Sequence, residues 1–596
     1  MAQKLNSFER FWTELKRRKV VYVVTVYAAV AFIILQLVDM ISQPLHFPEW
    51  TTALVIVLLC IGFVISVFVS WVYDITPSGV RKTKPVNAVK QVDRKTPSTS
   101  GGWKVATYIS CAIIIMLLAV NFINKWRLNT DITKLEKSIA VLPFINDSPS
   151  DTNQYFINGI MEEVLNNLMK IKDLRVLSRT STAQYQGSDR PTIPEIAKKL
   201  NVNYIVEGSG QKYGNTFILS VQLIAANKEK HLWGESYEEE IKEVRDYVRI
   251  RNRIARAIAS ELKAIITPEE KQLIEKVPTN NLEAYNLYLK GTYFYQKMTK
   301  EGLREASEYF ERALRKDPDF ALAYIGLSQF NGSSTFWGNV PPDEAIPKAR
   351  EYVEKALKID TTLAEAYWQL GNFNTFYYWN WKEAERNYRH AIKLNPNSSL
   401  IHTDYSNLLT IMGRHNEAIS EAKLAQELDP LSTFVIARTG AAYAYNGQFD
   451  KAIEEYRISL AMDPNYFYAH FELANAYLSK EMSKEAITEY EKSVDLSDGN
   501  PFITATLICN YYGNGKIEQA EALFESLKKR SLTEYIPPTS FFLIYRFRGQ
   551  EDLAVEWLKK ALTGHDTFLP MLKSSSAIFP AGSGYVALLK EAGLDY

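Results

Sequence analysis

Cysteine is nearly absent from this chain, with three in 596 residues. Cys60 and Cys111 lie in apolar stretches and only Cys509 lies beyond them, so no disulfide framework is available. Histidine is also scarce, seven in all, with no His-Glu-x-x-His pattern. His402 and His470 share one repeat position, which packing explains without a metal. Gly208-Ser-Gly210 falls in an expected hairpin and lacks the helix and Lys-Ser/Thr that complete a phosphate-binding loop. Glu238–Glu240 reads as a solvated helix start rather than a catalytic acid. No stretch is left over for an enzyme domain, so the expectation is a non-enzymatic chain without cofactor or metal. Net charge is only +1, unevenly placed. Residues 1–137 hold 17 Lys/Arg against 8 Asp/Glu, and the remainder 52 against 60. The larger part has no bulk electrostatic basis for binding nucleic acid.

What is abundant is repetition. Asn395-Pro396, Asp429-Pro430 and Asp463-Pro464 are spaced by 34 residues. That period is the signature of the tetratricopeptide repeat (TPR), a two-helix unit that stacks into a solenoid. Gly440, Ala452 and Ser459 are small because helices approach closely there. The same pattern returns at Ala474, Ala486 and Ser493, and Pro318, Pro396, Pro430 and Pro464 each end the second helix of their unit. About eight units are expected over 282–565, with a cap at 566–596. The second unit carries an aromatic insertion around Asn331–Asn339, which either decorates the surface or closes over the groove.

Three apolar stretches, 20–40, 50–73 and 105–123, are expected to be transmembrane helices of a 1–137 module. Arg and Lys cluster before the first and between the second and third, while Ile41–Glu49 has none. This predicts a multi-pass bacterial inner-membrane protein with a cytoplasmic N-terminus and extracytoplasmic soluble domains. The basic loop Arg81–Lys95 would meet lipid headgroups or a cytoplasmic partner. Asp39 would sit near the outer end of the first span.

Residues 138–266 read as α/β. Strands are expected at Ser138–Phe144 and Leu174–Ser178, helices at Asn158–Lys170 and Pro194–Leu200. A meander over Tyr204–Gln211, Thr216–Ala225 and His231–Glu238 precedes a helix from Val244 to Ile266. Ser138-Ile-Ala-Val-Leu-Pro-Phe144, Tyr204-Ile-Val-Glu-Gly-Ser209 and His231-Leu-Trp-Gly-Glu-Ser-Tyr237 resemble the TolB-like domain of bacterial membrane-anchored signalling proteins. Trp379-Asn-Trp381 resembles their TPR repeats, and Glu14–Lys19, Phe47–Trp50 and Asp74–Gly79 their N-terminal module. The resemblance implies a sensory portion, as in adenylate-cyclase-type and CadC-like proteins. Only about 19 residues precede the first apolar stretch, too few for their cyclase or winged-helix effector.

In the repeats, the position after the small residue of the first helix holds Asn372, Asn407, Ala441 and Asn475. An amide both donates and accepts, so these asparagines either contact a ligand backbone or belong to the repeat's packing. With Trp368, Phe376, Thr403, Tyr445 and Phe471 they form the candidate partner-binding groove, aromatic and polar rather than basic. The expected function is protein–protein interaction or scaffolding at the envelope through a protein or peptide ligand. Sensory input to a separate effector and an unrecognised α/β enzyme remain as alternatives. Membrane lipid and a second copy are further expected partners, nucleic acid is not.

Overall fold

The computed structural model describes residues 15, 20–42, 50–76, 79–82, 136–148, 154–187, 190–214, 216–297, 299–336, 340–572, 579 and 583–594. They fall into two compact units, Met1–Thr130 and Asp131–Tyr596.

In the first unit α1 (Val20–Ser42) and α2 (Trp50–Val72) pack on each other. The Tyr27 hydroxyl donates to the Leu59 carbonyl at 2.7 Å, and its ring meets Phe63 edge-on at 5.7 Å. A short antiparallel hairpin follows, β1 (Tyr73–Thr76) and β2 (Gly79–Lys82). The expectation of N-terminal transmembrane helices is corrected here. Among the described residues no helix is long and apolar enough to cross a membrane. The stretch 105–123 and most of the basic loop lie outside the described residues.

The second unit opens with an α/β layer: β3 (Ser138–Val141), β4 (Ile145–Asn146), α3 (Gln154–Met169), β5 (Arg175–Val176), α4 (Ile193–Leu200), β6 (Tyr204–Tyr213), β7 (Thr216–Ala225), β8 (Lys230–Glu240) and α5 (Val244–Glu261). The sheet order is β5-β3-β6-β7-β8, with β4 beside β6. Its first part is parallel and its last three strands form an antiparallel meander. Alternate apolar residues of β7, including Phe217, Leu219, Val221 and Leu223, are buried. Glu238–Glu240 end β8 instead of starting a helix. The helix begins at Val244, where Glu243 and Asp246 form a capping box. A side chain at Gly210 would meet Ile157, and one at Gly208 the Ser220 carbonyl at 2.7 Å. These glycines therefore serve close packing.

Eight helix pairs follow among the described residues, from Leu282–Tyr295 with Lys300–Lys316 to Pro538–Phe547 with Glu551–Thr563. The first helix of each is called A and the second B. Helices B of repeats three to five end at Leu394, Leu428 and Met462, just before the residue that precedes each proline. The small positions of helix B, Ala384, Ala391, Ala418, Ala425, Ala452 and Ala486, are fully buried. Ser459 and Ser493 donate to the Thr433 and Phe467 carbonyls, tying helix B to the first turn of helix A. In the second repeat helix A continues through Asn331 to Phe336, absorbing the start of the aromatic insertion; Trp337–Asn339 lie outside the described residues.

The α/β layer and the array share one core, in which α3 and α5 meet Tyr285, Leu289 and Phe320. A second seam covers β5, an edge strand whose bare backbone would otherwise be open to pairing. Asn397 donates to the Met169 and Ile171 carbonyls (3.0 and 3.2 Å) and accepts from the Val176 amide (3.1 Å). Ser178 N–H donates to the Leu428 carbonyl, and the Ser181 hydroxyl donates to buried Asp429 at 2.5 Å. Further along, His565 stacks on Tyr377 (4.7 Å) and packs against Trp379 (5.0 Å), and its Nδ1 lies 2.9 Å from the Tyr377 carbonyl. The eighth repeat thus closes back onto the third.

Candidate partner-binding face

Helices A of successive repeats pack on one another and form one face of the array. The sequence places Asp404, Arg438 and Glu472 on this face at one repeat position, 34 residues apart. The structure makes them its polar centre. Asp404 accepts hydrogen bonds from Trp368 Nε1 (2.8 Å) and Asn372 Nδ2 (3.1 Å), both from the preceding repeat. Arg438 Nη1 donates to the Tyr468 hydroxyl at 2.8 Å, and the guanidinium lies 4.9 Å from that ring's centroid and 5.6 Å from that of Phe434. Glu472 takes a hydrogen bond of 3.4 Å from Asn475 Nδ2.

Burial pushes the Asp404 carboxyl above its ordinary value, against the pull of Arg438, Trp368 and Asn372. Glu472 is raised for the same reason, opposed by Tyr468, Arg438 and Asn475. Burial disfavours the Arg438 guanidinium, but Tyr468, Asp404, Glu472 and Tyr466 outweigh that and hold its pKa up. A buried cation thus stands between two reluctant carboxylates.

Of the groove residues expected from sequence, Trp368 and Asn372 meet at Asp404. Asn372 also accepts from the Tyr388 hydroxyl, and Asn475 from that of Tyr490, each at 2.5 Å. Asn407 is buried and its Nδ2 has no partner. Burial raises the Tyr445 hydroxyl, with Glu472 and Arg438 acting on it in opposite senses. The Thr403 hydroxyl bonds back to the Ser399 carbonyl of its own helix at 2.8 Å. Phe471 packs edge-on against Tyr490 and Phe502, and the Phe376 carbonyl accepts from Trp379 Nε1 at 3.2 Å. Sequence reading passed over Asp404, Arg438 and Glu472 by inspecting the positions one residue earlier. Charge recurring at a 34-residue spacing was the signal that could have found them.

His402 and His470 also have matching surroundings. Their Nδ1 atoms lie 2.6 and 2.5 Å from Glu421 and Glu489, and their Nε2 atoms 3.1 and 2.9 Å from the Pro396 and Pro464 carbonyls. Each ring ties a turn to its own helix B. Among the described residues no group of three or more His, Cys, Asp or Glu could hold a metal ion. Cys509 is buried and free, and burial raises its thiol.

Residues 438–501 match a tetratricopeptide repeat family model. With eight helix pairs of this form, the chain is a tetratricopeptide repeat protein. Residues 135–256 match the model of the second domain of HilA/YgeH-like transcriptional regulators. A putative adenylate cyclase of Rhizobium meliloti (strain 1021) is 30% identical over 208 residues, 35% of this chain and 35% of that protein. The chain therefore spans about a third of the length of that curated relative. Among solved structures, a TPR protein from Parabacteroides merdae ATCC 43184 aligns over 45% of this chain and 99% of its own, with 15% identity and a TM-score of 0.34. YrrB, described as a TPR protein with an unusual peptide-binding site, aligns over 32% and 93%, with 22% identity and a TM-score of 0.24.

Proposed function

We propose that this chain is a non-enzymatic binding protein that takes a protein or peptide partner on the helix-A face of its TPR array. The observation that carries the reading is the polar line Asp404–Arg438–Glu472, bordered by Trp368, Asn407 and Tyr468, in which buried donors of Arg438 and Asn407 have no acceptor. Aromatic rings beside such groups are the usual anchors of an interface.

Site-specific photocrosslinking tests the proposal. A benzophenone side chain at Tyr445 is expected to capture a discrete partner in the native host, and one at Glu485 on helix B is expected to capture none. Equal labelling from both positions would refute a binding face. Asn407→Ala combined with Asn475→Ala is expected to weaken capture from Tyr445 without unfolding the chain. A fall in thermal stability with unchanged capture would instead make both asparagines packing residues.

A second reading is that binding feeds a separate effector. It is favoured by the company the matches keep, an adenylate cyclase and a domain of transcriptional regulators. The seam through Asn397 and Asp429 supports it by joining the α/β layer to the fourth and fifth repeats beside the polar line. Under that reading, partner binding changes amide exchange in β5 as well as on the helix-A face.

A further inference from the structure

Helix α3 of the α/β layer packs against the first helix of the array, and a Cβ at Gly159 would sit 3.0 Å from Leu289. Beside that contact the two surfaces leave a cavity of about 170 Å³. Glu162, Glu163 and Asn166 line it from α3. Helices A of the first three repeats line the other side, contributing Tyr288, Tyr295, Gln329 and Glu365. These polar side chains are half-buried rather than sealed. Leu322 and Ile325 add apolar surface. Among the described residues no Lys, Arg or His lines the cavity. Two of the three carboxylates are answered from behind. Arg251 bonds to Glu163, and Arg179 Nε lies 3.2 Å from Glu162. Even so, Oε2 of Glu162 accepts no hydrogen bond, and burial pushes its carboxyl up against the pull of Arg179 and Gln296. Glu365 has no ion-pair partner among the described residues. Lys170 feels its charge, but bonds instead to Asn167 Oδ1 at 3.3 Å and the Leu273 carbonyl at 3.4 Å. Burial first, and Glu365 and Glu162 after it, push the Tyr288 hydroxyl up to about 12. Carboxylates from both walls thus act on one ring between them.

We propose that this cavity receives an arginine side chain of an extended protein partner. Three carboxylates with no lining cation favour a positive group and repel a negative one. A cavity of roughly 150 Å³ holds a benzene-sized group, so a guanidinium and its adjoining methylenes fit. The head group pairs with Glu365, the acceptor left without a cation, and has Glu162 and Glu163 alongside. Asn166 and Gln329 offer amide oxygens to the remaining N–H groups. Leu322 and Ile325 take the methylenes, and Tyr288 and Tyr295 add aromatic surface of the kind a guanidinium plane stacks on. An ammonium has fewer donors, all at one point, and no plane to stack, so lysine meets less of this lining. The inference rests on the helix-A face being the binding face and adds which side chain that face reads.

The test uses the full chain and fluorescein-labelled heptapeptides, Gly-Ser-Ala-X-Ala-Ser-Gly with X as Arg, Lys, Gln or Glu, followed by fluorescence polarisation. The Arg peptide is expected to bind about tenfold more tightly than the Gln and Glu peptides, the discrimination worth one charge-assisted match. It is also expected to bind more tightly than the Lys peptide. Glu365→Gln is expected to bring the Arg peptide down to the Gln level. Gln329→Arg supplies a guanidinium to the cavity from within. It is expected to have the same effect while raising the melting temperature, which separates lost binding from lost folding. Equal binding of the Arg and Gln peptides, a Lys peptide at or above the Arg peptide, a preference unchanged in both variants, or no saturable binding of the Arg peptide up to about 1 mM would overturn the cavity. Any of these outcomes together with discrete capture from Tyr445 would overturn the cavity alone and keep the binding face. No discrete capture from Tyr445 would overturn the face, and the cavity with it.

Discussion

Asn397 is one side chain with three hydrogen bonds across the seam between the α/β layer and the array, and it is almost wholly buried. Replacing it strands the Met169 carbonyl and the Val176 amide away from water, while the Ile171 carbonyl keeps its bond from the Leu174 amide at 3.2 Å. Asn397→Ala is expected to cost about 2–4 kcal/mol, since each stranded group loses a bond and keeps its desolvation cost. Urea unfolding reads this directly, and a loss under about 0.5 kcal/mol would mean water replaces the amide. At Asp404 the prediction concerns pH. Burial raises its carboxyl in the folded chain, so the folded state binds a proton more readily than the unfolded one. That contribution is fully present below the unfolded value near 3.8 and is lost as pH rises through the folded value. Wild type is therefore expected to gain stability relative to Asp404→Asn as pH falls from 7 toward 4. A difference independent of pH, or one moving the other way, would show that the carboxylate is not desolvated as described.

At the scale of the helix pair, tight contact sets the tolerances. A methyl at Gly440 would lie 2.6 Å from the Tyr456 ring, and one at Gly371 2.8 Å from Tyr388. Both tyrosines are fully buried and have no room to withdraw. Gly440→Ala gains about 1 kcal/mol of helix propensity and incurs overpacking of about 1–3 kcal/mol. The net expectation is a lower melting temperature, and a higher one would show the helices part easily. The pair was largely legible in the sequence, because Gly440, Ala452, Ser459 and Pro464 each act within one repeat and return at a fixed period. The helix-A polar line was less so. Which of two adjacent positions faces the preceding repeat depends on helix rotation, and that decides between Ala437 and Arg438.

For the whole second unit, closure matters more than any single pair. Trp379 adopts a left-handed backbone (φ 54°), uncommon for a bulky residue, and His565 packs against it from the eighth repeat. Solenoid repeats ordinarily interact only with neighbours and unfold piecemeal. Here a contact spans five repeats, so the array from the third to the eighth is expected to open as one. Trp379→Ala is expected to raise amide exchange together in 374–381 and 551–569 while sparing β6 and β7. Uniform loss throughout the unit would show instead that Trp379 supports the common core. The seam onto β5 has the same long-range character: Asn397, Ser181 and Asp429 are ordinary residues until folding brings them together.

The sequence by itself determined most elements of the second unit and their order, because turn prolines, buried alanines and alternating apolar strands act over a few residues. It determined the repeat period and, through it, the class of protein. Only the tertiary structure decided which polar groups find partners, since a hydroxyl such as that of Tyr456 is satisfied or stranded by residues on another helix. It also decided that the α/β layer and the array share one core, because burial is a property of packed surfaces and not of any one stretch of chain.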